Sequence, residues 1–373
     1  MKKQSAFSAA NGADKISLAG LMPAELEKLL LHIPRFSCVQ IYKWITRGAC
    51  DFSQMTDIPS GLRKDLNTRF SLFSSSIDSL YEDRDTKKIV LSLKDGLKIE
   101  AVLLRDGKNR FTVCLSTQAG CPAGCVFCKT GSLGFSRNLT AGEITEQFLF
   151  LNSLINLKPQ STAEQFNVKT SEYAPVIYID NIVIMGMGEP LLNMAELRKV
   201  IEFFTDSEGL NFSKRRITIS TCGICGSLFD LAENGPYVRF ALSLTTADEP
   251  LRQKLMPVTA ANPLQKVKEA LVSFQRKGAG RITLEVPLLG GINTRSKDVQ
   301  SIAMFAKGLN TVVNIIPWNP VAGLVFDGRP LCEPDKKEIE NFIYQLEKRG
   351  LKVTKRQRKG RKTMAACGQL GAQ

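Results

Sequence analysis

The chain has 373 residues, 43% of them hydrophobic, and 50 lysines and arginines against 36 acidic residues give it a formal charge of +14. That length favours one large domain with one or two small attachments. No apolar run reaches membrane-spanning length, and no secretory core follows Met1-Lys2-Lys3, so a cytoplasmic protein without a membrane partner is expected. The single histidine, His32, leaves little room for histidine zinc sites or Ser-His-Asp triads.

Residues 1–16 are small, polar and without periodicity, and are expected to be disordered. Residues 17–74 carry helical periodicity: Leu26, Leu29, Leu30; Val39, Ile41, Tyr42, Trp44, Ile45; Leu62, Leu66, Phe70. Breaks at Pro34, at 51–53 and at Pro59-Ser60-Gly61 divide them into a small helical module that ends at Ser74-Ser75-Ser76. Residues 75–110 read as a β-hairpin linker, with a turn at Asp95-Gly96. From 111 to 345, strand-like runs at 111–116, 177–185, 216–220, 239–244, 282–288 and 312–316 alternate with helical segments. Two of those helices carry start signals, Thr140-x-x-Glu143 and Asn193-x-x-Glu196. The fold class is therefore α/β, a partial (β/α)6 barrel with loops of function at the carboxyl ends of its strands. Residues 158–174 look like a surface insertion.

Residues 346–373 form a basic segment. From Lys348 onward there is no acidic residue, while Lys348, Arg349, Lys352, Lys355, Arg356, Arg358, Lys359, Arg361 and Lys362 crowd together. A polyanionic partner such as a nucleic acid is one reading and a solvated basic face the other.

Ten cysteines without an export signal suit metal or thiol chemistry better than a disulfide framework. Gly120-Cys121-Pro122-Ala123-Gly124-Cys125-Val126-Phe127-Cys128 follows the first barrel-type strand. Three thiolates so spaced suit a four-iron, four-sulfur cubane that leaves one iron open. Structural zinc, the rival, normally takes a fourth ligand, and none is nearby in sequence.

The CxxxCxxC text with Phe127 before the last cysteine resembles the radical-SAM superfamily, which cleaves S-adenosylmethionine at such a cluster. Further segments are similar to the RlmN/Cfr family of RNA adenosine methyltransferases over about residues 20–371. They are Cys114-Leu-Ser-Thr-Gln-Ala-Gly-Cys121, Gly134-Phe-Ser-Arg-Asn-Leu139, Met185-Gly-Met-Gly-Glu-Pro-Leu191, Ile219-Ser-Thr, Lys254-Leu-Met-Pro257, Ile316-Pro-Trp-Asn319 and Ala365-Ala-Cys-Gly-Gln-Leu370. The resemblance implies that Cys121, Cys125 and Cys128 hold one cluster, and that Gly188, Glu189, Ser220, Ser243, Leu244, Thr245 and Asn319 contact S-adenosylmethionine. It makes Cys367 the methyl-accepting cysteine, Cys114 the resolving cysteine and Glu100 the group that handles the substrate proton.

Two molecules of S-adenosylmethionine are implied per turnover. One methylates the Cys367 sulfur; the other yields a 5′-deoxyadenosyl radical that takes a hydrogen from that methyl group. The carbon radical adds to adenine, Glu100 removes the ring proton, and Cys114 attacks as a thiolate, leaving a Cys114–Cys367 disulfide. Implied partners are 23S ribosomal RNA, transfer RNA beside the anticodon, and a low-potential electron donor such as flavodoxin or ferredoxin, with the enzyme a monomer. The helical module would then add RNA contacts. Glu189-Pro190 resembles the carbon-2 branch more than the carbon-8 branch. A non-catalytic iron-sulfur RNA-binding protein is the alternative from another class.

This chain departs from the family in three places. The Glu100 to Cys114 spacing is one residue longer than expected, Thr245-Thr246-Ala247-Asp248 stands where histidine and proline are usual, and Cys222 and Cys225 form an extra C-x-x-C. That pair is either a second redox or metal site or, more ordinarily, two buried cysteines.

Overall fold

The computed structural model describes residues 3–4, 15–155, 177–278, 280–356, 359–360 and 362–371. Most of the expected disordered N-terminus, the insertion at 158–174, and Arg358 and Arg361 of the basic segment lie outside the described residues. The chain divides into two compact units.

The first unit comprises Met1–Thr117, Leu139–Ile182 and Ala195–Ser213. Its helices Pro23–Leu29, Arg35–Arg47 and Ser60–Arg69 fall between the expected breaks. Pro23 can open the first helix because a first-turn N–H has no partner within the helix. Leu26, Leu30, Ile41, Tyr42 and Ile45 bury the apolar face they share.

The expected hairpin forms from Thr86–Ser92 and Lys98–Arg105, with Val90 opposite Glu100. It is the middle of a larger antiparallel sheet, flanked by Ser76–Asp83 on one side and Phe111–Cys114 on the other. The sequence pattern did not reveal the strand Ser76–Asp83. A register shift between Ile77 and Ser79 interrupts its alternation, so that Ile77 and Leu80 are both buried although they stand three apart.

The helix Ala141–Ser153 begins at the expected signal, Glu143 N donating to Thr140 Oγ1 at 3.2 Å and Thr140 N to Glu143 Oε2 at 2.9 Å. Within it Glu146 is wholly buried. Its carboxylate accepts from Ser74 N (2.6 Å), Ser74 Oγ (2.8 Å), Ser75 N (2.8 Å), Ser17 Oγ (3.1 Å) and the Ser75 hydroxyl. The serine run thus ends the helical module as a clasp rather than a slack linker.

The second unit comprises Gln118–Asn138, Val183–Met194 and Lys214–Gln373. Strands Ile217–Thr221, Arg239–Ser243, Ile282–Leu288 and Thr311–Pro317 pair in parallel in that order, and Val353–Lys355 adds a fifth. Helices Cys225–Asn234, Leu264–Arg276, Ser296–Ala306 and Lys336–Lys348 fall between successive strands. Near-continuous apolar runs such as Phe240-Ala241-Leu242 are what a parallel strand covered on both faces requires. With Phe111–Cys114 and Ile179–Ile184, six strands alternate with helices along the chain, the expected α/β order.

Replacing Glu146 by alanine leaves four buried or half-buried donors, the N–H and hydroxyl groups of Ser74 and Ser75, without their acceptor, while Ser17 Oγ keeps Leu72 O at 2.9 Å. The unfolding free energy in urea is expected to fall by about 3 kcal/mol, and an unchanged midpoint would show that the serines are satisfied without it.

Candidate active site

The cysteine loop belongs to the second unit. A short antiparallel pair, Gln118–Gly120 with Phe135–Asn138, frames it. Cys121 N donates to Gly134 O at 2.7 Å, and Cys128 N to Cys125 O at 3.1 Å. Gly131 packs so tightly that a Cβ there would come within 2.8 Å of Cys125 O. Trp318 Nε1 donates to Phe127 O at 2.9 Å, anchoring the loop beside the end of Thr311–Pro317.

Gly188-Glu189 follows a strand, as expected. Gly188 has φ of 105°, and a Cβ there would lie 2.6 Å from the Gln118 side chain. Glu189 N donates to Gln118 Oε1 at 2.8 Å. The Glu189 carboxylate caps the turn Pro190–Leu192 by accepting from Leu191 N at 3.0 Å. It also accepts from Thr221 Oγ1 at 2.6 Å and Cys222 N at 2.7 Å.

These elements enclose a cleft, continuous with solvent, lined by Cys121, Cys125, Cys128, Gly188, Glu189, Ser220, Ser243, Thr245, Asn319 and Cys367. Ser220 Oγ and Ser243 Oγ stand 3.2 Å apart at adjacent strand ends. Leu244 is the exception among the expected contacts: it is not among the lining residues and its side chain is buried. Its N–H donates to Glu285 O at 3.0 Å and its carbonyl accepts from Arg252 Nε at 3.0 Å.

Residues near the C-terminus close one side of the cleft. Lys129 N donates to Gly368 O at 2.8 Å, Thr130 Oγ1 to Leu370 O at 2.9 Å, and Asn319 Nδ2 to Cys367 O at 3.1 Å. Cys367 therefore lies beside the cysteine loop although 239 positions separate it from Cys128 in sequence.

Residues 115–300 match the Radical SAM superfamily model, and residues 16–72 match the ribosomal RNA large subunit methyltransferase N-terminal domain. A Treponema denticola protein named "Probable dual-specificity RNA methyltransferase RlmN" is 44% identical over 96% of this chain and 96% of its own length. The chain belongs to the RlmN family of radical-SAM RNA methyltransferases. The Lawsonia intracellularis "Dual-specificity RNA methyltransferase RlmN" is 37% identical over 95% of this chain and 96% of its own. A solved radical SAM methyltransferase from Sphaerobacter thermophilus is 33% identical, covers 96% of this chain and 100% of its own, and superposes with a TM-score of 0.86. The RlmN fold is accordingly the mixed α/β partial barrel of the radical-SAM proteins.

RlmN membership brings a four-iron, four-sulfur cluster and S-adenosylmethionine, and the cleft suits both. Burial pushes the Cys121 thiol up to about 12 and raises Cys125 and Cys128; Cys128 adds to the rise at Cys121 and Cys125, Cys121 to that at Cys125, and Cys367 to that at Cys128. Such buried, mutually repelling thiols become anions when a cationic core takes the place of their protons. Among the described residues no three His, Cys, Asp or Glu side chains are gathered around a single metal position. Thiolates sharing one zinc would stand within about 4 Å of one another, whereas a cubane spreads its ligands over different irons. For the polar part of a ligand, Thr245 Oγ1 and Asn319 Oδ1 are buried without a protein partner. Thr245 also holds φ of 62°, a strained setting for a β-branched residue at a binding wall.

Glu100 and Cys114 lie in the first unit. Tyr81, Lys88, Val102 and Cys114 are register partners across four strands, and Glu100 is two residues before Val102, so all five share a sheet face. Lys88 Nζ is 3.1 Å from Glu100 Oε1, both side chains buried, and sits 5.0 Å from the Tyr81 ring centroid. Of the extra C-x-x-C, Cys222 lines the cleft and Cys225 does not.

Sequence reasoning missed Lys88, Thr221 and Arg252. Lys88 and Thr221 lie on strands where alternation gave a face, not a partner. Arg252 occupies an ordinary helical stretch, and nothing local marks it as buried.

Because the thiols must lose protons to bind iron, cluster reconstitution is expected to become more complete from pH 7 to pH 8.5. Iron content of the anaerobic protein checks this, and equal loading at both values would contradict it.

Proposed function

We propose that this RlmN-family chain methylates carbon 2 of an adenosine in 23S ribosomal RNA, and of an adenosine beside the anticodon in transfer RNA, through a methyl group carried on Cys367. The observation that supports this most is the docking of the Cys367 turn onto the cysteine loop, in the cleft that holds the unpartnered Thr245 and Asn319 oxygens. The relatives' name, dual-specificity RNA methyltransferase, supports two RNA classes.

Cys121, Cys125 and Cys128 hold the cluster; when bound, it supplies the electron that cleaves S-adenosylmethionine. Gly188 lets the backbone approach the bound molecule, while Glu189, Ser220, Ser243, Thr245 and Asn319 orient it. Carbon 2 of adenine is electron-poor and bears no acidic hydrogen, so simple methyl-cation transfer fails there. Cys367 therefore takes the methyl group from a first S-adenosylmethionine on its sulfur, releasing S-adenosylhomocysteine and the thiol proton. A hydrogen atom then leaves that methyl for the deoxyadenosyl radical of a second S-adenosylmethionine, and the Cys367-borne carbon bonds to the ring.

Glu100, held at 3.1 Å by Lys88, takes the ring proton, and the electron released with it would return to the oxidised cluster that Cys121, Cys125 and Cys128 would hold. Cys114 attacks the Cys367 sulfur as a thiolate, the carbon–sulfur bond breaks, the freed carbon takes a proton to become the methyl group on the ring, and a Cys114–Cys367 disulfide remains for an external reductant. A flavodoxin- or ferredoxin-like donor supplies the low-potential electron. Residues 17–74 and the basic segment 346–373 bind RNA by its backbone and shape. Glu189-Pro190, which resembles the carbon-2 branch more than the carbon-8 branch, supports methylation at carbon 2.

Anaerobic incubation with S-adenosylmethionine, a reductant and unmodified RNA is expected to give 2-methyladenosine by nucleoside mass spectrometry. With 8-methyladenosine the branch is wrong, and with neither methyladenosine nor 5′-deoxyadenosine the enzymatic reading falls. Cys114→Ala is expected to leave RNA covalently attached at Cys367, and Cys367→Ala to give no product at all. Normal turnover by either variant would remove its cysteine from the pathway.

A further inference from the structure

Arg252 is fully buried in the helix Glu249–Leu255, behind the cleft. Its Nε donates to Leu244 O at 3.0 Å, Nη1 to Thr259 Oγ1 at 2.6 Å, and Nη2 to Cys222 O at 2.6 Å and Ser243 O at 3.3 Å. Four of its five N–H donors are used in this way, and every one of these acceptors is neutral. A guanidinium keeps its charge in proteins, and burying an ion is unfavourable unless an opposite charge offsets it. Burial works against its charge, and the sulfurs of Cys222 and Cys125 and the Glu249 carboxylate work for it. Cys125 belongs to the cysteine loop, Cys222 lines the same cleft, and Val126 N of that loop donates at 3.0 Å to Leu255 O, the last residue of the arginine's own helix. A buried positive charge is therefore fixed behind the loop on which the cluster's negative charge would be held.

We propose that Arg252 is the counter-charge of the iron-sulfur cluster, a positioning residue that raises its reduction potential and so favours the state able to cleave S-adenosylmethionine. This rests on the reading that Cys121, Cys125 and Cys128 hold that cluster. A doubly positive core with three thiolate ligands carries one negative charge, and a second after it accepts one electron from a low-potential donor, which is oxidised by one electron. At an effective dielectric constant of about 20, a fixed positive charge need lie only on the order of 10 Å away to favour the more negative state by roughly tenfold. The arginine bonds to Cys222, Ser243 and Leu244 also hold two strand ends in place, so a charge test must be separated from a structural one.

The test is a redox titration of the anaerobically reconstituted full chain, followed by electron paramagnetic resonance without S-adenosylmethionine, with iron and sulfide content and thermal melting measured on each sample. Arg252→Gln is expected to lower the reduced-to-oxidised ratio at a fixed potential about tenfold, a midpoint 59 mV more negative for a one-electron couple. Arg252→Lys restores most of the difference. Thr259→Asp keeps the arginine but gives it a carboxylate partner, and is expected to shift the midpoint the same way. Thr259→Val, similar in shape and uncharged, is expected to leave it in place. Should Arg252→Gln fail to fold or load iron, the two Thr259 variants carry the test. A cluster-loaded Arg252→Gln or Thr259→Asp protein with the wild-type midpoint overturns the proposal. Absence of a cluster in the wild-type protein overturns the cysteine assignment instead.

Discussion

Two hydrogen bonds from the end of the cysteine loop and one from Asn319 to a turn near the C-terminus hold the site together: Lys129 N to Gly368 O, Thr130 Oγ1 to Leu370 O, and Asn319 Nδ2 to Cys367 O. A cysteine close to a chain end is ordinarily a passive group. Here the backbone that follows Cys367 is fixed against the loop that carries Cys121, Cys125 and Cys128, and Gly368 adopts φ of 83° so that the turn can bend back. Gln369 reinforces the turn by donating to Pro320 O at 3.0 Å. Chemistry at a methyl group on Cys367 needs this placement, since a radical formed in the cleft must meet it before solvent does.

The cleft is also an electrostatic device. Burial alone raises its thiols, and their mutual proximity raises them further, so an empty cleft holds protons and a loaded one holds negative charge. Glu189 lies in the same cleft and is already committed to three donors, Leu191, Thr221 and Cys222. Its carboxylate therefore has a fixed direction before any ligand arrives. Capping a turn and contacting a ligand are compatible jobs for it, because it caps Pro190–Leu192 while lining the cleft.

Local chemistry was the legible part of the sequence. The Thr140-Glu143 box started its helix because both partners are three residues apart, and parallel strands such as Ile282–Leu288 announced themselves by apolar residues at every second position, Ile282, Leu284, Val286 and Leu288. The cysteine spacing was legible for the same reason. What stayed hidden depends on partners distant in sequence or on broken periodicity. Ser74 and Ser75 looked like a linker because their acceptor, Glu146, is more than 70 positions away. The strand Ser76–Asp83 was lost to one register shift. Arg252 reads as a surface residue until Cys222, Ser243, Leu244 and Thr259 are brought round it. The resemblance to the RlmN/Cfr family supplied the candidates Cys114 and Glu100, which no local signal would have raised, but not Lys88 beside Glu100.

The most direct test of the account is the mass of the Cys367-containing peptide after the cluster-loaded protein has met S-adenosylmethionine bearing a trideuterated methyl group, without RNA. The account predicts one deuterated methyl on the Cys367 sulfur, lost from the peptide when RNA and reductant are then supplied. RNA methylation with Cys367 unmodified throughout, or with the label on another residue, would contradict it.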